Sequence, residues 1–315
     1  MVSVVREVRA RDSVLAWLLE PSNPSARTLT LTELLGRPED DKDVAISRTA
    51  IPGASPARDV LMAQYPQGYW MHPGIGVSPR YRATVWQIIF LAQLGMTRTP
   101  PLERAVAHLF QANQREDGAF RASKQPGDTP ACLNGALLWA LETLGFGQAG
   151  PVQRAWSWLA ETVHKYGLAS TYSDGLACPS GAAHVLWATG AVPEDRRDPM
   201  VEQLSQRAAE VLLENPPKIV LAECNSPAEG APAAVALTFP LAHRADPLQW
   251  LSVIVEAGYS ADGRVRGIRR WVKKKMLPDG TWPLERTPKP QWATYGAPGA
   301  GNKWVTLRAL RALAR

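Results

Sequence analysis

Two windows of the chain, 46 positions apart, carry the same string. Asp128-Thr-Pro-Ala-Cys132-Leu-Asn-Gly135-Ala136 and Asp174-Gly-Leu-Ala-Cys178-Pro-Ser-Gly181-Ala182 share Asp, Ala, Cys, Gly and Ala in register. Each runs on into an apolar stretch with a tryptophan, Leu137-Leu-Trp139-Ala140 and Val185-Leu-Trp187-Ala188. Self-similarity at a period of 20–50 residues marks a repeat architecture, in which one supersecondary unit recurs. A carboxylate and a thiol then recur at the same point of successive units.

Helical periodicity dominates and strand signals are few. Apolar segments end on glycine at Gly36, Gly95, Gly145, Gly190 and Gly258, with Pro or Asp soon after. Glycine takes the left-handed position after a helix cheaply, and Pro or Asp opens the next one. Two helix types alternate. Segments 84–94, 132–144 and 178–188 are apolar nearly all round, whereas 102–114, 152–164, 200–213 and 264–276 are amphipathic. A helix apolar on every side is buried, and an amphipathic one shows a face to water. Segments 4–19 and 42–64 (the latter interrupted at Pro52 and Pro56) join the outer set; 28–35, 247–257 and 302–314 join the inner set. The expectation is an all-α chain, 1–315, forming a single α/α toroid of about six outer–inner hairpins. Segment 214–246 reads as an extended loop or broken helix.

Composition narrows the class of protein. The net charge of +6 favours an anionic partner. The basic residues are scattered without an aromatic-interleaved strip, which argues against nucleic acid. Three cysteines do not suggest a disulfide framework, and charges near the start interrupt any signal-peptide core. No window approaches 18 apolar residues, so no membrane span is expected, while contact with a membrane surface stays open. The expected location is cytoplasmic; oligomeric state is not read.

The outer helices end in a second signature. Gln64-Tyr-Pro-Gln-Gly68-Tyr-Trp70 and Gln114-Arg-Glu-Asp-Gly118-Ala-Phe120 follow Gln-x3-Gly-x-aromatic, and Met276-Leu-Pro-Asp-Gly280-Thr-Trp282 keeps the glycine and tryptophan. This resembles the QW repeat of the squalene/terpenoid cyclase and protein prenyltransferase β-subunit superfamily, over about 29–315. Stretches such as 81–91 and 302–310 are also similar to a prokaryotic group with this repeat. The resemblance implies an α/α toroid. It also implies a terpenoid-cyclase-like enzyme acting on an apolar isoprenoid or polyketide-like chain in a central cavity. The alternatives are a non-catalytic lipid-binding or protein-interaction toroid and a zinc-dependent prenyltransferase-like protein.

The family's acid motif, Asp-x-Asp-Asp, is absent, as is Asp-Asp-x-x-Asp. Glu39-Asp40-Asp41-Lys42-Asp43 reads as helix-opening acids favoured by the dipole. The repeated Asp-x3-Cys is therefore the candidate. Asp128 and Asp174 are either N-caps or a carboxylate pair at the cavity mouth, one kept protonated by its surroundings. His72 in its loop is a candidate acid or base, or a plain surface histidine. Trp70, Trp86, Trp139, Trp187 and Trp282 line the cavity or fill the core. No cofactor is expected. Zinc, if bound, would use Cys132 and Cys178 with Asp128 or Asp174. The prenyltransferase zinc site has its Asp and Cys two apart rather than four, and His184 falls on a different helix face from Cys178.

Overall fold

In a computed structural model the described residues are 12–125, 128–169, 176–216 and 236–315. They are all-helical, with no strand among them. In chain order the helices are α1 (12–18), α2 (Pro24–Leu29), α3 (Lys42–Ala50), α4 (Ala57–Met62), α5 (Thr84–Gln93), α6 (Pro100–Asn113) and α7 (Ala131–Thr143). They continue as α8 (Gly150–Tyr166), α9 (Pro179–Ala191), α10 (Pro199–Glu214), α11 (Pro247–Glu256), α12 (Val265–Lys274) and α13 (Lys303–Ala314). No described helix is long and apolar enough to cross a membrane.

The two helix types separate as their patterns require. Every residue of α5 is buried, whereas α8 buries only Val152, Ala155, Trp156, Leu159 and Val163, one face of its 3.6-residue period. Segment 42–64 breaks at Ile51–Gly53, a 3-10 turn containing Pro52. Gly36, Gly95, Gly145 and Gly258 take positive φ after their helices, but Gly190 does not, because α9 runs through it to Ala191.

The Gln-x3-Gly-x-aromatic signature is a structural joint. Gln64 Nε2 donates to the Gly68 carbonyl (3.1 Å) and to that of Pro101 at the start of the next outer helix (3.0 Å). Gly68 and Gly118 have φ of +96° and +95°, and a Cβ on either would stand 2.4 Å from the carbonyl oxygen of Arg104 or Arg154. Glycine is thus required twice over. The aromatic that follows is tied to both layers. Trp70 Nε1 donates to the Val60 carbonyl and Trp282 Nε1 to that of Val272, each on or beside an outer helix. Their backbone N–H groups donate to Thr84 and Thr306, and that of Phe120 to Asn134, all in the first turns of inner helices.

Inner helices α7 and α9 approach most tightly at Gly135, where a Cβ would lie 2.7 Å from the His184 carbonyl carbon. Segment 236–246 enters the space between inner helices. Leu241 exchanges two hydrogen bonds with the Gln93 amide (2.7 and 2.9 Å), and the Ala242 carbonyl faces His184 Nε2 at 2.8 Å.

Candidate functional site

A cavity of about 270 Å³ receives residues from α2, α5, α7, α9, α11 and α13. On α7 the lining residues are Trp139 and Thr143, and on α9 they are Trp187, Gly190 and Ala191, the last turns of each helix. The indoles of Trp139 and Trp187 stack, with centroids 3.6 Å apart and planes 16° from parallel. Phe239 and Trp304, which also line the cavity, stack at 4.9 Å. Phe239 and Leu241 line the cavity, whereas Thr238 and Ala242 line a separate small cleft with Tyr81 and His243. That alternation is expected of an extended segment, whose successive side chains point to opposite sides. Segment 236–246 therefore walls off the cavity on one side.

The charged groups of the cavity come from three elements. Glu33 sits on a π-helical turn, Thr30–Leu34, that continues α2. Within this stretch Thr30 and Thr32 return their hydroxyls to the Ala26 and Thr28 carbonyls, and such turns recur at functional sites. Arg311 of α13 pairs with Glu33 and with Glu256 of α11, the latter at 2.8 Å. Loss of hydration raises the Glu33 pKa. Arg311 opposes that rise and the Glu256 carboxylate reinforces it. Deeper, Arg308 pairs with Asp246 at 2.8 Å, and Asp246 also caps α11 by accepting from Gln249 N.

The sequence-derived candidates are distributed otherwise. Trp139 and Trp187 line the cavity. Trp70 and Trp282 are buried in the repeat joints, and Trp86 donates to the Val77 carbonyl and packs on Tyr81 and Phe90; none of the three lines the cavity. His72 is exposed on its loop. Asp128 is partly buried and lies two residues before Pro130, the N-cap position of α7. Asp174 lies outside the described residues. At 1.5 Å per residue, Cys132 stands about 10 Å along α7 from Trp139, so the Asp128 end of α7 is remote from the cavity. The acidic residues that line the cavity are Glu33 and Glu256.

Cys178 turns out to be the N-cap of α9, its Sγ accepting from Gly181 N at 3.3 Å. Burial, with the neighbouring Cys178, pushes the Cys132 thiol up to about 12. His184 faces the Ser180 and Ala242 carbonyls with its two nitrogens, at 2.6 and 2.8 Å. Among the described residues no group of three or more His, Cys, Asp or Glu is placed to hold a metal ion.

Glu33, Glu256, Arg308 and Arg311 escaped sequence reasoning. The available signal was charge on helices assigned to the inner layer, where ionisable groups are rare unless paired.

No protein-family model matches this chain, and no curated protein does. A solved structure of a protein from Actinoplanes covers 82% of this chain and 96% of its own length, at 17% identity and a TM-score of 0.31. A likeness at that level carries no argument.

Proposed function

We propose that the chain is an α/α toroid of the terpenoid-cyclase kind. Its cavity takes one small, mostly apolar molecule of isoprenoid or polyketide-like character, and Glu33 performs acid–base chemistry on it. The observation that supports this reading is the Glu33 carboxyl, paired with Arg311 and partly open to solvent, in a cavity lined by Trp139, Trp187, Phe239 and Trp304. A carboxyl can give and take a proton, and ring faces stabilise the positive charge that protonation creates. Glu33 gives its proton to an alkene carbon, whose π electron pair forms the new C–H bond. A neighbouring carbon then returns a proton to the carboxylate, so the net change is an isomerisation. The cavity of about 270 Å³ lies just below the usual small-ligand range of roughly 300–1,000 Å³, which suits a short chain better than a triterpene.

Incubation with C10 and C15 isoprenoid alcohols and diphosphates, followed by product analysis, tests the reading. Turnover that falls at least about a hundredfold in Glu33→Gln supports it; turnover unchanged in that variant removes it. The second reading, a carrier without catalysis, is favoured by one fact: Arg311 engages both Glu33 and Glu256. Ligand that co-purifies and is released unchanged supports the carrier.

A further inference from the structure

Most polar side chains lining the cavity are already committed to protein partners. The Gln93 amide is spent on Leu241 and Ile89, and the Ser252 hydroxyl on the Leu248 carbonyl. Arg308 is held by Asp246 and the Thr238 carbonyl. The terminal nitrogens of Arg311 are held by Glu33 and Glu256. Gln249 is different. It lines the cavity from the first turn of α11, it is 1% exposed, and neither its Oε1 nor its Nε2 has a partner among the described residues. Apart from Gln249, the buried orphan in the lining is Arg311 Nε, a single donor beside two carboxylates.

A buried amide with both ends unpaired loses its hydration without replacement, and native proteins rarely keep such a group. Its complement is a group that donates and accepts at adjacent positions. A carboxylate or phosphate offers acceptors alone, so the single amide donor would leave most of a buried charge uncompensated. A hydrocarbon would leave the amide orphaned.

We infer that the cavity selects its ligand by a neutral end group, an alcohol or a primary amide, which pairs with Gln249 while the apolar remainder lies against the tryptophans. This rests on the reading of the cavity as the site of a small apolar molecule, and names the head group that molecule carries.

One C10 skeleton with different ends separates the possibilities. Binding of myrcene, geraniol, geranamide, geranic acid and geranyl diphosphate at pH 8 is measured by calorimetry and by thermal shift. Geraniol or geranamide binds at least about tenfold tighter than myrcene, geranic acid or geranyl diphosphate, the scale of one buried hydrogen-bonded pair. The difference between geraniol and geranamide tells which end group is used. Gln249→Leu and the volume-conserving Gln249→Met abolish the preference and leave myrcene binding intact. Both raise the melting temperature of the ligand-free protein by about 2–4 °C, because they remove an unsatisfied group. Affinities that follow hydrocarbon content alone, or a preference that survives in both variants, overturn the inference and leave the cavity reading standing. Failure of every C10 probe to bind removes the cavity reading and this inference together.

Discussion

Gln114 Nε2 donates to the carbonyl of Pro151, one hairpin further along the chain, at 2.6 Å, and to that of Gly118 in its own turn at 3.0 Å. Pro151 occupies the first turn of α8, and Gln64 reaches Pro101 of α6 in the same way. One amide therefore ties the end of an outer helix to the start of the next.

Replacing Gln114 by Met keeps the volume and removes both bonds. The partly buried carbonyls lose a donor, so stability should fall by about 1–3 kcal/mol, read as a lower urea midpoint at unchanged slope.

Gly135→Ala and Gly190→Ala should act in opposite directions, although both sites are helical. A methyl at 135 meets the His184 backbone at 2.7 Å, whereas at 190 nothing lies within 4 Å. The first should destabilise by about 1–3 kcal/mol and the second stabilise by about 0.4–1 kcal/mol. Paired chemical denaturation curves check both signs.

Cys132 should alkylate far more slowly than an ordinary thiol. With its pKa pushed up to about 12, its thiolate fraction at pH 8 is on the order of a thousandfold below that of a free cysteine. Mass-spectrometric footprinting with iodoacetamide reads the rate at that peptide in native and urea-unfolded protein.

Acid should weaken the fold through its histidines. Burial, with Arg80 and Arg244, takes His243 down to about 4, and burial also lowers His184. Folded values below the unfolded one give stability that is present above about pH 6.5 and lost as pH falls towards 4. With His243 partly open to solvent, its share is about 1–3 kcal/mol. Glu33 has the reverse sign, since its raised value favours the fold when protonated and costs stability as pH rises through it. Urea midpoints between pH 4 and 7 in wild type and His243→Gln separate the terms; the variant should show the flatter profile.

The all-helical class and the layering were legible because burial of helices is written in apolar periodicity, as α5 and α8 illustrate. The site was less so. Asp128 and Asp174 stood out because a repeat makes residues conspicuous, yet recurrence reflects the demands of the joint as well as those of chemistry. Cys178 caps α9, and Gly135 lets α7 approach α9 closely. Glu33 has no motif around it. Its place depends on a π turn and on Arg311, 278 residues away, and no local pattern announces such a pairing. Gly190 failed as a helix stop because a glycine with free space around it costs a helix only about 1 kcal/mol, which packing against α7 and α10 can offset.

Phe239 and Leu241 of segment 236–246 give the cavity a wall. A pocket with a wall measures length. A chain that reaches Phe239 and Leu241 has spent its reach, and each further carbon stays outside in water, adding bulk but no grip. Homologous ligands of increasing length should therefore gain affinity step by step and then stop gaining it at one particular size.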